Sequence, residues 1–203
     1  MGVRLLLSCG EPSGDVYAGA LTRELRTLAP DISLSGLGGP QFEAAGGRLI
    51  DDYRGFAVTG LTEALTKIAK SRATLHRLVA HARRDPPDAL VIIDFPDFNL
   101  PLARRIRALG VPVVYYVVPQ VWAWRAHRLK TIRQVAARVL PIFPFEERIY
   151  REANIPAEFV GHPLIDLAQP GEPPDVLIRR LRFDSAAPIV AETYDEFLSG
   201  QHP

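Results

Sequence analysis

The sequence predicts an α/β fold built on a doubly wound parallel sheet. Short apolar segments alternate with helix-forming segments from residue 3 to about residue 163. Parallel neighbours in a sheet need crossover connections, and the intervening helices supply them. The most apolar segment, Ala89–Ile93, lies between Pro86-Pro87 and Pro96, which favours a short strand buried on both faces. Together these observations indicate one Rossmann-like domain.

Composition excludes several classes of protein. The 203 residues are 47% hydrophobic and 23% charged, as in ordinary globular domains. A formal net charge of +1 gives no general basis for binding nucleic acid. Cys9 is the only cysteine, so neither an intrachain disulfide nor a cysteine metal site is expected. No apolar run approaches the ~18 residues that cross a bilayer, and the start is too short for a signal peptide. We therefore expect a cytoplasmic protein that could still lie on a membrane surface.

The chain opens with a strand, a glycine-containing turn and a helix. Val3–Cys9 is an apolar run, and Gly10 and Gly14 let the backbone turn tightly after it. Ser13 is placed as the N-cap of a helix over Val16–Leu28. Such a turn can bind a phosphate or a sugar at the helix N-terminus, but it lacks the spacing of the dinucleotide and phosphate-loop motifs. A simple tight turn remains the alternative.

The next segments continue the alternation. Ile32–Leu37 has the pattern of a strand, and Gly38-Gly39-Pro40 opens a short helix over Gln41–Ala45. Leu49 and Ile50 then lead into a more hydrophobic loop. The loop leads into a long helical segment.

This long helical segment runs from Leu61 to about Arg84. Its apolar residues recur at helical spacing, and they are Leu61, Leu65, Ile68, Leu75, Leu78 and Val79. The opposite face is basic and carries Lys67, Lys70, Arg72, Arg77, Arg83 and Arg84. Such a helix can lie on an anionic membrane or bind an acyl chain. The pattern alone favours the alternative, a crossover helix with a solvated basic face.

Further strands and helices follow the strand Ala89–Ile93. A helix over Leu100–Leu109 stops at Gly110, and the β-branched run Val111–Val118 predicts the next strand. The remaining predicted elements are a helix over Arg128–Ala136, a strand over Val139–Phe143, a helix over Phe145–Glu152 and a strand over Glu158–Val160.

Polar residues follow the predicted strands at the edge of the sheet where ligands bind in open parallel folds. Asp94 ends the central strand, and Asp97 and Asn99 follow it on the turn. Both tryptophans, at positions 122 and 124, come directly after the next strand, where they could stack on a sugar, wall an acyl pocket or pack the loop. His162, on a glycine-proline turn, is a candidate ligand contact, with a structural role as the alternative.

Six motifs, in this order, resemble the amino-terminal half of the lipid-A-disaccharide synthases. They are Gly10-Glu11-Pro12-Ser13-Gly14-Asp15, Gly38-Gly39-Pro40, Ile93-Asp94-Phe95-Pro96-Asp97-Phe98-Asn99, Tyr116-Val117-Val118-Pro119-Gln120-Val121-Trp122-Ala123-Trp124-Arg125, Phe143-Pro144-Phe145-Glu146 and Gly161-His162-Pro163. The resemblance implies a GT-B glycosyltransferase with two Rossmann domains. It would join UDP-2,3-diacylglucosamine to 2,3-diacylglucosamine 1-phosphate, releasing UDP and forming a β-1,6-linked disaccharide. It also implies work at the inner face of the inner membrane, as a peripheral protein, with no metal and no cofactor.

The resemblance and the residue pattern together assign roles. Asp94 is the expected general base, with Asp97 as the second choice or its orienting partner. The expected acceptor contacts are Glu11, Ser13, Gly14, Asp15, Asn99, Gln120, Trp122, Arg125 and His162. The resemblance also makes the helical segment from Leu61 to Arg84 the expected acyl-chain and membrane-facing element, through Leu61, Leu65, Ile68 and Leu75.

The end of the chain departs from the family pattern. Residues 1–167 would form the acceptor- and membrane-side domain, and residues 168–203 a linker and a short terminal segment. The polar, proline-rich run Asp166–Pro174 predicts the linker, and helices are predicted over Asp175–Leu181 and Thr193–Ser199. Ala187–Ala191 resembles the first strand of a second Rossmann domain, but Glu192–Pro203 replaces the glycine-serine-arginine loop expected next. We expect the nucleotide-binding domain to be absent, by engineering or truncation, and the chain alone to bind UDP-sugar poorly and not to turn over.

Two other interpretations stay open. One is a non-catalytic module that binds an acylated sugar or a membrane surface. The other is a different GT-B enzyme, such as a UDP-sugar epimerase, which the motif series argues against. No nucleic-acid partner is expected, and a homo-oligomer is left open.

Overall fold

The computed structural model describes residues 2–56, 63–121, 128–167, 176, 179 and 180. The chain divides into two units, Met1–Pro163 and Leu164–Pro203. In the second unit the structure describes a one-turn helix over Leu164–Leu167. The predicted strand Ala187–Ala191 and terminal helix Thr193–Ser199 lie outside the described residues, as does most of the predicted helix Asp175–Leu181.

The first unit is built on a six-stranded sheet in which all neighbouring strands are parallel. The strands are β1 (Arg4–Ser8), β2 (Ser33–Gly38), β3 (Arg48–Asp52), β4 (Ala89–Ile93), β5 (Val113–Tyr116) and β6 (Arg138–Leu140). Their order across the sheet is β3-β2-β1-β4-β5-β6. This order reverses between β1 and β4, as in a doubly wound fold, and creates a crevice at the carboxyl ends of these strands. The predicted fold class is confirmed.

Helices connect the strands. They are α1 (Pro12–Leu28), α2 (Pro40–Ala44), α3 (Glu63–Arg84), α4 (Pro96–Arg107), α5 (Arg128–Val135) and α6 (Pro144–Glu152), with α7 (Leu164–Leu167) in the second unit. A 3₁₀ turn follows β3 over Tyr53–Phe56. Four of the helices begin at proline, whose fixed φ and missing N–H suit the first helical position.

The core lies between the sheet and its helices. Leu6 on β1 and Leu90 and Ile92 on β4 have no exposed surface, as expected for central strands covered on both faces. Leu78 of α3 and Leu102 of α4 are equally buried and belong to the same cluster. The apolar run that predicted β4 is therefore the centre of the domain.

Two helices begin four residues earlier than predicted. Helix α1 begins at Pro12 rather than Val16, so the N-cap is Glu11, which makes no capping bond with its side chain. The prediction that Ser13 is the N-cap was therefore wrong. Helix α4 begins at Pro96 rather than Leu100. In both cases proline opens the first turn instead of delaying it.

Two strand predictions need correction. Arg48–Asp52 forms the edge strand β3. From the sequence, only Leu49 and Ile50 were noted in this segment, and no strand was predicted. Glu158–Val160 is not a strand; the preceding residue, Ala157, makes a single bridge to Val139 of β6. The Val160 N–H donates to the Pro141 carbonyl, but proline has no N–H with which to continue the ladder. In addition, the predicted linker from Asp166 begins inside α7.

Candidate active site

Asp94 directly follows β4 in a strained backbone conformation. Its φ is 41° and that of Phe95 is 46°, so two consecutive residues other than glycine are left-handed. The Asp94 carbonyl accepts hydrogen bonds from the Asn99 Nδ2 at 2.8 Å and from the Tyr115 hydroxyl at 3.1 Å. These bonds hold the turn in the conformation that ends the strand at this point.

Asn99 is the centre of this support. It has no exposed surface, and its Oδ1 accepts a hydrogen bond from the Ser8 hydroxyl at 2.7 Å. Its Nδ2 also lies 3.1 Å from the Ile93 carbonyl and 3.3 Å from the Ser8 carbonyl. The predicted acceptor contact through Asn99 has no support here, because the buried amide is fully engaged in joining the carboxyl ends of β1 and β4.

Asp94 lines a cleft of about 680 Å³ at the carboxyl edge of the sheet. The polar side chains that line it are Asp94, Gln120, Arg128 and Glu146. Of these, the sequence had singled out Asp94 and Gln120. Asp94 therefore faces an open cleft and is not sealed in the core.

The environment makes Asp94 more basic than an ordinary aspartate. Burial and the neighbouring Glu11 carboxylate raise its pKa, while a hydrogen bond from the Phe95 N–H and the Arg128 cation act in the opposite direction. A carboxylate with a raised pKa accepts a proton more readily, provided that it is ionised at the working pH. Asp94 could therefore act as a general base.

Asp97 occupies a different position. Its Oδ1 lies 2.5 Å from the Arg128 Nη2, and its side chain is 78% exposed whereas that of Arg128 is 12% exposed. Arg128 lines the cleft, but Asp97 lines a separate groove on the other side of the turn. This arrangement fits Asp97 as an orienting partner for a cation beside Asp94 better than as a second base.

The separate groove lies between α3 and α4 and has a volume of about 460 Å³. It is lined by Ile68, Ser71, Arg72, Leu75, Phe95, Asp97, Phe98, Pro101 and Arg105. Ile68 is half exposed, while Leu75 also belongs to the core. Thus two of the four predicted acyl-chain residues border an apolar groove with basic margins. Leu61 and the side chain of Leu65 lie outside the described part of the chain.

The glycine turn divides into exposed and buried residues. Glu11 and Ser13 are exposed, whereas Gly14 and Asp15 are buried. A Cβ on Gly14 would lie 3.1 Å from the Cβ of Cys9, so glycine permits close approach of α1 to β1. Because glycine has no side chain, Gly14 can contact a ligand only through its backbone.

Asp15 has a structural role. Its carboxylate accepts hydrogen bonds from three backbone N–H groups at the start of α2, those of Gly39 at 2.8 Å, Gln41 at 2.9 Å and Phe42 at 3.1 Å. The residue thereby caps α2 from a neighbouring helix. Since the carboxylate is almost fully buried, the prediction that it contacts the acceptor has no support.

The remaining predicted contacts are less defined. The His162 ring packs edge-on against that of Phe143, with 5.5 Å between centroids, and Phe143 lines the cleft. Trp122 and Arg125 lie outside the described residues. Sequence reasoning missed Arg128 and Glu146; the only signal was that Glu146 ends one of the quoted motifs.

The described residues contain neither a candidate metal site nor a candidate membrane span. No group of three or more histidine, cysteine, aspartate or glutamate side chains there could hold a metal ion. None of the helices within those residues is long and apolar enough to cross a membrane.

Solved structures share the fold at low sequence identity. A UDP-N-acetylglucosamine 2-epimerase superimposes with a TM-score of 0.63 and 13% identity, over 87% of this chain and 54% of that one. MurG from Acinetobacter baumannii gives a TM-score of 0.51 and 14% identity, over 85% of this chain and 47% of its own. At these identities the likeness concerns the fold alone.

Sequence relatives are much closer. The lipid-A-disaccharide synthase of Koribacter versatilis is 44% identical over 189 residues, which cover 93% of this chain and 50% of the relative. That of Myxococcus xanthus is 41% identical over 188 residues, covering 93% and 49%. The chain thus spans about half the length of these curated relatives. The family model for lipid-A-disaccharide synthetase matches residues 5–194. The chain therefore belongs to the lipid-A-disaccharide synthetase family.

Proposed function

We propose that this chain provides the acceptor side of a glycosyltransferase in lipid A biosynthesis, with Asp94 as the general base. The reaction would transfer 2,3-diacylglucosamine from UDP to 2,3-diacylglucosamine 1-phosphate. The observation that carries the proposal is the position of Asp94, which lines the 680 Å³ cleft with a raised pKa, in a chain of this family. Residues 1–167 would be the acceptor- and membrane-side domain.

The proposed chemistry is an inverting displacement. Asp94 would take the proton of the acceptor hydroxyl as its oxygen attacks the anomeric carbon of the donor sugar. The bond from that carbon to the UDP oxygen breaks on the opposite face, and UDP leaves with the bonding electrons. Arg128, held by Asp97, would stabilise negative charge on a phosphate in the cleft.

The remaining acceptor contacts follow from the placement of the side chains. Glu11 and Ser13 are exposed at the start of α1, and Gln120 lines the cleft. We retain these three, together with Gly14, Trp122, Arg125 and His162, as proposed acceptor contacts. Asp15 and Asn99 we propose instead as supports of the site, for the reasons given above.

The groove between α3 and α4 would receive an acyl chain. Its apolar lining, including Ile68, Leu75 and Phe98, suits a hydrocarbon chain, and Arg72 and Arg105 suit the anionic surface from which the lipid comes. The protein would then work as a peripheral protein on the cytoplasmic face of the inner membrane. UDP-sugar would be bound mainly by the part of the relatives that this chain does not match.

A chimera tests the catalytic proposal. This chain would replace the matching segment of the Myxococcus xanthus relative, and disaccharide formation would be measured by mass spectrometry. We expect Asp94→Asn to lower kcat by about 100-fold or more, because a general base contributes that much. The exposed Asp31→Asn is the matched control. Equal turnover in both variants would exclude Asp94 as the base.

The isolated chain tests whether UDP-sugar binding and turnover need the part of the relatives that this chain does not match. With both substrates supplied, we expect no disaccharide and only weak UDP-sugar binding. Detection of disaccharide from the purified chain would refute this part of the proposal.

The groove also supports a second candidate, a non-catalytic module that binds acylated sugar or membrane. Lipid binding should survive Asp94→Asn under both hypotheses. Turnover by the chimera that depends on Asp94 would decide for the transferase.

A further inference from the structure

A hollow of about 320 Å³ lies between the edge strand β3 and the second half of α3, and we call it the β3–α3 hollow. Its polar lining residues are Arg48 from β3 and Arg77, His81 and Arg84 from α3. The three helical residues recur at i, i+4 and i+7, so they share one face of α3. Since β2 and β1 separate β3 from β4, the hollow is distinct from the Asp94 cleft.

Positive charge in the hollow is only partly neutralised. Arg77 is paired with Asp51, which also accepts a hydrogen bond from Thr74. The Arg84 side chain, by contrast, makes no ion pair or hydrogen bond within the described part of the chain, and none of the lining residues is a carboxylate. The guanidinium groups of Arg48 and Arg84, which have no carboxylate partner among the described residues, favour an anion in the hollow.

His81 adds a buried polar group to the same site. It is 7% exposed, and its Nε2 lies 3.1 Å from the Ser35 hydroxyl and 3.5 Å from the Arg48 Nη2. Because an arginine only donates, Nε2 can accept from Arg48 when the ring is neutral. Burial and then the Arg48 cation lower the pKa of His81, with Arg84 acting in the same direction and Asp85 opposing them.

We propose that the β3–α3 hollow binds a phosphate-type oxyanion through Arg48 and Arg84, with Arg77 at its side. Planar guanidinium groups match phosphate oxygens in geometry and charge, and these arginines come from two elements that face each other. The volume leaves room for a phosphate and part of its ester substituent. The source could be a free phosphate compound or a lipid headgroup, and the proposal goes beyond the transferase reaction because the cleft is elsewhere.

The alternative is that the arginines at the end of α3 only stabilise the helix. Basic residues in the last turn of a helix stabilise its negative C-terminal end, and Arg83 and Arg84 both end α3. Arg83, however, lines another concavity, between α3 and α4. Arg83→Gln is therefore a matched control, since it removes the same helix-end charge without touching the β3–α3 hollow.

The first experiment uses inorganic phosphate and the whole chain. Phosphate would replace chloride at constant ionic strength, with binding followed by calorimetry and by the NMR signal of His81. We expect saturable binding and a raised pKa of His81, because a nearby anion favours the imidazolium. Arg48→Gln and Arg84→Gln should each weaken binding about tenfold, while Arg83→Gln should not.

The second experiment identifies the source. Sedimentation with phosphatidylglycerol vesicles would be compared with phosphatidylcholine vesicles. Selective loss of phosphatidylglycerol binding in Arg48→Gln and Arg84→Gln supports a lipid headgroup, and saturable phosphate binding without that loss supports a free phosphate compound. The proposal is overturned by absence of saturable phosphate binding together with unchanged vesicle binding, or by an equal effect of Arg83→Gln.

Discussion

Replacing Asn99 by alanine should destabilise the first unit by about 3 kcal/mol. The side chain has no exposed surface; its Oδ1 accepts from the Ser8 hydroxyl, and its Nδ2 lies within 3.3 Å of the carbonyls of Ser8, Ile93 and Asp94. The Nδ2 carries two hydrogens, so the three carbonyls share two donors and the side chain makes about three full hydrogen bonds. A buried hydrogen bond contributes about 0.5–1.5 kcal/mol net, so three give about 1.5–4.5 kcal/mol. That is a large share of the ~5–15 kcal/mol by which a domain is stable.

The contribution of the hydrogen bond from the Ser8 hydroxyl to Asn99 can be measured separately. Ser8→Ala alone removes one hydrogen bond and should cost about 1 kcal/mol. In the double variant that bond can be lost only once, so the two effects should fall short of additivity by about 1 kcal/mol. The double-mutant cycle therefore measures this contact separately from the hydrogen bonds that Nδ2 donates to carbonyl groups.

Urea unfolding followed by circular dichroism provides the measurement. Asn154→Ala is the control, because Asn154 is exposed with φ 57°, and alanine there should cost only about 1 kcal/mol of left-handed strain. A loss below about 1 kcal/mol for Asn99→Ala, together with additive effects of the two substitutions, would refute the reasoning. The turn at Asp94 would then depend on other contacts.

Three further predictions concern side chains around the site. Since burial raises the pKa of Asp94, the folded protein keeps this proton to higher pH than the unfolded chain. The stability of the wild type relative to Asp94→Asn should therefore fall as the pH rises from about 3.9, the pKa of aspartate in the unfolded chain, to above the pKa of Asp94 in the folded protein. Thermal melts at several pH values measure this difference. Asp15→Ala should cost about 2–4 kcal/mol in urea and speed amide exchange at the start of α2, because three N–H groups lose their acceptor. Gly10→Ala would place a Cβ 2.0 Å from the Phe95 ring and should cost more than about 2 kcal/mol, against about 1 kcal/mol for Gly110→Ala, which meets no neighbouring atom.

The position of Asp94 could be predicted because it depends on two local facts. A short apolar run flanked by prolines has to be a buried strand, and the carboxyl ends of parallel strands form the ligand edge of the sheet. Neither fact needs knowledge of the other helices. The fold class followed from the same alternation of strands and helices along the chain.

Arg128 and Glu146 could not be predicted in the same way. Each lies at or near the start of a helix that follows another strand, and its place in the cleft depends on how α5 and α6 pack. No periodicity in the sequence fixes that packing. Side chains that reach a site from separate elements are therefore found only once the tertiary structure is known.

Asn99 and Asp15 show a different difficulty. Both are polar residues beside a predicted site, and the sequence pattern assigned both to ligand contact. In the structure both are buried. Asn99 donates to carbonyl groups at the ends of two neighbouring strands, and Asp15 accepts from N–H groups at the start of another helix. Which carbonyl or N–H groups remain without partners is decided by the ends of strands and helices, and these ends were the least accurate part of the sequence prediction.

Backbone strain is concentrated where the candidate site lies. Among the described residues, four other than glycine have a left-handed φ, and three of them, Asp94, Phe95 and Val117, follow β4 and β5 beside the cleft. Each costs about 1–3 kcal/mol, and Val117 is β-branched, which makes its conformation especially unfavourable. The Asp94 N–H donates to the Val117 carbonyl at 3.1 Å, so the two turns support each other. One turn thus directs Asp94 into the cleft and Phe95 into the neighbouring groove. Under the proposed function, the reacting sugar and its acyl chain would lie on either side of the first residues of α4.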